Sequence, residues 1–176
     1  QADYYLKAVG QGIEDYYSGD GEAPGRWTGA AADELDVFGQ VEGELLHRAL
    51  NGNHPATGDQ LARPPRGAIR VPGFDLTFSA PKSVSVLYAL GDDDVRGAVR
   101  DAHDAAVEAA LGYMERHAAM GRRGKGGAQS VLGNGFLGAA FRQRTSRAGD
   151  PQLQTPVLAT NMTRGPDGRW TALDGR

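Results

Sequence analysis

Two pairs of adjacent tyrosines stand near the start of the sequence, Tyr4-Tyr5 and Tyr16-Tyr17, and they hold four of the six tyrosines in the chain. A tyrosine hydroxyl has a reference pKa of about 10, so it is a poor nucleophile unless a cation or a metal ion polarises its target. Two such pairs in one acidic, glycine-containing segment suggest attack on a phosphodiester. The alternative for each tyrosine is aromatic packing with the hydroxyl at the surface.

A carboxylate with a defined position follows in the middle of the chain. Residues 74–80 alternate between apolar and polar side chains, which predicts a half-buried strand. Asp75 falls on the polar face of that strand with Thr77 and Ser79. This placement suits a carboxylate that assists chemistry, and it also suits a solvated strand carboxylate.

The charge is unevenly distributed along the sequence. The net charge of −3 gives no general argument for a nucleic-acid partner, but the first 60 residues hold 11 acidic and three basic residues and the remainder holds 11 and 16. Residues 116–147 contain seven basic residues and no acidic one. Such a stretch is either a solvated face or the electrostatic footprint of a polyanion.

The composition excludes several classes of protein. The absence of cysteine removes disulfide scaffolds, thiolate zinc sites and cysteine nucleophiles, and 40% hydrophobic residues is too many for a disordered chain. No apolar run approaches the roughly 20 residues of a membrane helix, and no signal-peptide pattern opens the sequence. We therefore expect one cytoplasmic domain without a membrane partner.

The elements that must position these residues are helices first and strands later, which predicts an α+β fold with helices packed on an antiparallel sheet. Helical patterns cover residues 2–9, 13–17 and 34–50, the last interrupted at Gly39 and Gly43, and Pro81 begins a helix capped from Ser79 or its neighbour. The longest helix starts after Asp92–Asp94, with a predicted apolar stripe of Val95, Val99, Ala102, Ala106, Ala109, Ala110 and Tyr113. Further strands are predicted at residues 128–132, 136–142, 153–162 and 169–173, the last two joined as a hairpin by a turn at residues 165–168.

Three sequence blocks resemble one family. The block GFDLTFSAPKSVSVL (residues 73–87) resembles the signature of the TrwC/TraI-type (MobF) conjugative relaxases of the HUH endonuclease superfamily. The opening block, residues 3–27, resembles the tyrosine-rich N-terminus of their actinobacterial members, and residues 141–170 resemble the block that carries their metal site. The resemblance implies a palm-like relaxase fold, here incomplete at both ends, with residues 1–176 forming one partial relaxase domain.

The resemblance also implies roles for single residues. Members of the family nick single-stranded plasmid-origin DNA beside a hairpin and form a tyrosine linkage to the 5′ end. By position, Tyr4 matches the first nucleophile and Tyr16 the second, with Tyr5 and Tyr17 beside them. Asp75 matches the family carboxylate that hydrogen-bonds a metal-ligand histidine or helps to deprotonate the tyrosine.

The metal site is where this sequence departs from the family. A His-x-His pair and a third histidine hold Mg²⁺ or Mn²⁺ in active members, whereas the matching positions here are Gln143, Gln154 and Pro156. A neutral amide oxygen is a weak ligand and proline offers none. We expect no metal and no other cofactor, because the four histidines, interpreted as surface residues, lie elsewhere.

The resulting hypothesis is a degenerate relaxase domain that retains DNA binding. Its expected partner is single-stranded or hairpin DNA of a transfer origin, with a dimer or a completing chain as a further possibility, and Trp27 or phenylalanines are expected to stack on bases. Two alternatives stay open. The first is an active strand transferase, or an engineered inactive form of one, and the second is a non-catalytic interaction module. The cations expected to contact DNA are Lys82, Arg122, Arg123, Lys125, Arg142, Arg144 and Arg147.

Overall fold

A computed structural model describes residues 24–63, 71–146 and 148–174 of the chain. Its centre is an antiparallel sheet of five strands: β1 (Arg26–Thr28), β2 (Gly73–Ser79), β5 (Gly138–Ala140), β6 (Gln143–Thr145) and β7 (Pro151–Thr160). The strands lie in the order β1, β5, β7, β2, and β6 also pairs with β7. Helices pack against this sheet, which confirms the predicted α+β class.

The long strand β7 sets the register of the sheet. Asp75 lies opposite Leu158, Ser79 lies opposite Gln154, and on the other side of β7 Gln143 also lies opposite Gln154. Residues that face each other in an antiparallel pair point to the same side of the sheet, and neighbours along a strand point to opposite sides. The register therefore decides which side chains share a face.

Two consecutive helices cover one face of the sheet. Helix α3 (Lys82–Leu90) follows β2 directly, and helix α4 (Asp93–Ala118) begins after the cap residue Asp92, whose carboxylate accepts a hydrogen bond from the Val95 backbone nitrogen at 2.9 Å. Pro81 is the cap residue of α3 and no side chain caps that helix, so the expectation of a cap from Ser79 is wrong. The helix itself begins at Lys82, one residue after the predicted first position.

The buried side of α4 differs from the predicted stripe. His103, Val107 and Leu111 are the buried residues of this helix, spaced four apart, whereas Ala102, Ala106 and Ala109 belong to its exposed surface and Tyr113 is 60% exposed. Alanine is compatible with either side of a helix, so a run of alanines did not identify the packed face. Val107 and Leu111 contact Val157 and Ala159 of the sheet in one core cluster.

The opposite face carries a second core cluster. Short helices α1 (Ala30–Glu34) and α2 (Gly43–Leu50) place Leu46 and Leu50 against Trp27, Ala139 and Phe141 of the sheet. The interruption predicted at Gly39 is confirmed, because the chain turns there at a φ of 78°, and the predicted helix is present from Gly43 to Leu50. The prediction is wrong for residues 35–42, which are not helical and which include a second turn at Asp36 with a φ of 52°.

Two small hairpins complete the described structure. Strands β3 (Met120–Arg123) and β4 (Gln129–Leu132) form one, and β8 (Thr163–Arg164) and β9 (Trp170–Thr171) form the other. The predicted turn at residues 165–168 is confirmed, but it joins β9 to β8 rather than to the longer β7. Residues of the described ranges form no helix long and apolar enough to cross a membrane.

The side chain of Glu115 on α4 accepts hydrogen bonds from two separate backbone segments, one at the start of α1 and one just before β5. Its Oε1 atom accepts from the backbone nitrogens of Ala30 at 2.8 Å and Phe136 at 2.9 Å. Because hydrogen bonds to a charged group are worth about 1.5–3 kcal/mol when one partner is lost, we expect Glu115→Ala to lower the free energy of unfolding by about 2 kcal/mol. Urea unfolding measures this, with Glu115→Gln, which keeps one oxygen acceptor, as the milder control. Equal effects of the two variants would contradict the assignment.

Candidate active site

Several polar residues of β2, β6 and β7 share one face of the sheet with Pro156, and we call this face the site face. Leu76 and Phe78 of β2 pack on the core cluster of α4, so the residues between them point the other way. The register then adds the members of β6 and β7 that lie opposite these positions. The site face consists of Asp75, Thr77, Ser79, Gln143, Gln154 and Pro156.

Gln143 and Gln154 form a direct contact at one end of the site face. They lie opposite each other in the β6–β7 pair, and Gln154 Nε2 donates a hydrogen bond to Gln143 Oε1 at 2.8 Å. Both residues are partly buried. The two positions that the sequence matched to metal ligands are therefore adjacent, as the assignment to neighbouring strands predicted.

Pro156 continues the site face two residues beyond Gln154. It lies opposite Thr77 of β2, and its carbonyl accepts from the Phe141 backbone nitrogen at 2.9 Å. Proline has no N–H to return that bond and no side-chain ligand, which is unusual in the middle of a central strand. The third matched position thus lies where a side chain would join the other two, and it offers no donor atom.

Asp75 occupies the opposite end of the site face. It is exposed, and Thr77 Oγ1 donates to its Oδ1 atom at 3.1 Å. Asp75 is paired with Leu158, four residues along β7 from Gln154, so about 13 Å separates the two positions at roughly 3.3 Å per residue. Asp75 faces away from the helix core, as the alternation of residues 74–80 predicted.

The residues of the site face do not fit a divalent cation. One amide oxygen already accepts the hydrogen bond of the other amide, Pro156 lacks a ligand atom, and Asp75 stands at the far end. Among the described residues, no group of three or more histidine, cysteine, aspartate or glutamate side chains could hold a metal ion. The donor set of this face is one carboxylate with neutral amides and hydroxyls.

His103 lies directly behind the site face, on the helix side of β7. It is buried rather than exposed, which corrects the surface role expected from the sequence, and its Nε2 atom lies 2.9 Å from Thr155 Oγ1. Burial lowers the pKa of His103, so the neutral imidazole is favoured. Sequence reasoning missed this contact because the helix stripe was assigned to the alanines.

Two of the cations expected to bind DNA hold carboxylates near β7. Arg142 points to the helix side and bonds Asp104 of α4, with 2.6 Å between Nη1 and Oδ2. Lys82 bonds Asp150 with 2.5 Å between Nζ and Oδ2, and this hydrogen bond lowers the pKa of Asp150. Arg144 on β6 is exposed.

A second group of these cations belongs to the small hairpins. Arg122 bonds Asp174 at 2.7 Å, and Arg123 bonds Asp167 at 2.8 Å and lowers the pKa of that carboxyl to about 2. Lys125 is exposed in the turn between β3 and β4. Three of the predicted cations thus lie on the β3–β4 hairpin, and two of these three, Arg122 and Arg123, bond aspartates instead of being free to contact DNA.

Tyr4, Tyr5, Tyr16 and Tyr17 and also Arg147 lie outside the described residues. Trp27 is 8% exposed and packs in the second core cluster, so it is not available to stack on a base and the expectation is wrong for this residue. Of the phenylalanines, Phe38 is 64% exposed and Phe74 is 36% exposed.

Comparison with known proteins decides the family. The model of the TrwC relaxase family matches residues 1–176. The chain belongs to the TrwC relaxase family. It is 39% identical over 149 residues to the multifunctional conjugation protein TraI of Escherichia coli, which covers 84% of this chain and 8% of TraI. The resemblance drawn from the three sequence blocks is confirmed.

Solved structures of TrwC relaxases share the fold. The metal-free conjugative relaxase TrwC in complex with OriT DNA superimposes with a TM-score of 0.76 at 35% identity, covering 96% of this chain and 57% of that chain. The metal-bound structure gives 0.76 at 34% identity, covering 96% and 58%. This chain therefore spans a little over half of those relaxases. A member of the family thus has a metal-bound structure, whereas this chain has Gln143, Gln154 and Pro156 at the positions that the sequence matched to metal ligands.

Proposed function

We propose that this chain is a relaxase domain that binds single-stranded or hairpin DNA of a transfer origin and lacks metal-dependent nicking. TrwC, whose structures include complexes with OriT DNA and with a 27-mer comprising the recognition hairpin and the cleavage site, supports the DNA partner. The two core clusters pack on opposite faces of one sheet, which supports a single domain.

The observation that carries the proposal is the hydrogen bond between Gln143 and Gln154. A divalent cation at a phosphoryl centre stabilises the transition state by several kcal/mol, and every 1.4 kcal/mol is about tenfold in rate. Neutral amides that bond each other do not replace this effect. We assign the nucleophile positions to Tyr4 and Tyr16, with Tyr5 and Tyr17 as neighbours, and a proton-accepting position to Asp75.

Fluorescence anisotropy tests the proposal. The probe is a labelled hairpin oligonucleotide with a single-stranded 3′ extension, compared with a blunt duplex of the same composition. We expect preferential binding of the hairpin, equal in EDTA and in Mn²⁺ at constant ionic strength. Absence of binding would instead favour a non-catalytic interaction module, and affinity that depends on Mn²⁺ would contradict a metal-free site.

The salt dependence of DNA binding distinguishes side chains that contact phosphates from arginines that bond carboxylates within the fold. Each phosphate contact contributes about −0.7 to the slope of log K against log salt for single strands. Lys125 is exposed whereas Arg142 bonds Asp104, so we expect Lys125→Ala to make the slope shallower by about 0.7. Arg142→Ala should leave the slope unchanged and lower the melting temperature. The reverse pattern would place Arg142 against DNA.

A further inference from the structure

The amide pair on the site face has hydrogen-bonding capacity left over. Gln154 Nε2 donates to Gln143 Oε1, and neither amide has another hydrogen bond within the described part of the chain. Each amide offers two N–H donors and an oxygen that accepts two bonds. The pair therefore presents one oxygen and one NH₂ group side by side. If the two amides were turned over, so that Gln143 donated and Gln154 accepted, the pair would still present one oxygen and one NH₂ group.

The surroundings of the pair do not favour an anion. The described strands contribute neutral side chains next to it, Ser79 opposite Gln154 and Pro156 two residues along. Two arginines flank Gln143: Arg142 points to the other side of the sheet and bonds Asp104, whereas Arg144 is exposed. The side chains of Gln143, Gln154, Ser79 and Pro156 carry no charge, and a desolvated anion needs an opposite charge.

An unpaired nucleobase matches the pair in charge and in pattern. The edges of the bases carry a donor and an acceptor side by side, and glutamine recognises adenine through two such bonds in protein–DNA complexes. Bases of single strands can be splayed out and bonded along these edges.

We propose that Gln143 and Gln154 together bind the edge of an unpaired base of single-stranded DNA. This inference rests on the proposed function, because it requires that the site face meets a DNA strand. It assigns the positions matched to the family's metal ligands a recognition role in this chain.

Strands with and without bases test the inference. The probes are labelled dA, dC and dT oligonucleotides of about 12 nucleotides and an abasic strand of equal length, which keeps the phosphates. The variant is Gln143→Leu with Gln154→Leu, and the matched control is Gln129→Leu, an exposed glutamine of β4. We expect about tenfold weaker binding by the double variant on at least one base-bearing strand, the effect of one bidentate base contact, and no change on the abasic strand.

Three outcomes would overturn the inference in distinguishable ways. Equal losses on the abasic and base-bearing strands would show a phosphate contact. Unchanged binding of every strand by the double variant would show a purely structural amide pair. Failure of the natural chain to bind any strand would reject the proposed function as well. If the double variant unfolds, Gln143→Met alone, at a partly exposed edge position, is expected to show the same base-dependent loss.

Discussion

Replacing Gln143, Gln154 and Pro156 together by histidine is expected to create a divalent-cation site. The first two residues face each other across β6 and β7, and position 156 is two residues further along the same face. Opposed Cβ atoms lie about 5 Å apart and next-but-one residues about 7 Å apart, distances from which imidazoles can meet one ion with metal–nitrogen bonds of about 2.1 Å. We expect Co²⁺ affinity to rise at least about 10³-fold, since three imidazoles replace a weak amide set.

Visible absorption and calorimetry with Co²⁺ measure this gain. The control carries the same three substitution types at exposed positions, Gln60→His, Gln129→His and Pro166→His, which lie on separate elements. The control should bind Co²⁺ no better than isolated histidines do. A triple site-face variant that folds and binds no more tightly than the control would show that the site face does not converge on one point.

The same triple histidine variant is expected to gain tyrosine-dependent nicking. A bound cation supplies the charge stabilisation that the natural residues lack, and several kcal/mol correspond to at least about 10³-fold in rate. With Mn²⁺ and single-stranded origin DNA, a covalent protein–DNA adduct should therefore form at least about 10³-fold faster than with the natural chain. Denaturing gel electrophoresis measures the adduct.

Tyr4→Phe in the triple histidine background is the control for that gain, and we expect it to remove most of the adduct, with Tyr16→Phe affecting a later transfer. Asp75→Asn should slow adduct formation without loss of the metal, if Asp75 takes up the tyrosine proton. Metal binding without any adduct would contradict the claim that the metal ligands are the missing part of the chemistry.

The site face was predictable because side chains alternate along a strand, so the sequence pattern shows which residues share a face. The alternation of residues 74–80 placed Asp75 on the polar side, and Gln143 and Gln154 fell on neighbouring predicted strands. The hydrogen bond between the two amides depends on their register, which a bulge between β6 and β7 adjusts near Thr145. Sequence patterns do not fix such a register to one residue.

The helices and the charges were less predictable, for a physical reason. Alanine is found on both sides of α4, so the packed side was identified only by His103, Val107 and Leu111. Arg142 and Arg123 were expected on DNA, yet each bonds an aspartate distant in sequence. The number of basic residues in a stretch of sequence does not show which carboxylates the fold brings next to those residues.

We propose that this relaxase domain binds origin DNA without metal-dependent strand transfer. The most direct test incubates the natural chain with single-stranded origin DNA in Mg²⁺, in Mn²⁺ and in EDTA, and follows binding by anisotropy and covalent adduct by denaturing gel. We predict binding in all three conditions and no adduct in any. A metal-dependent adduct that disappears in Tyr4→Phe would show instead that the domain is an active strand transferase.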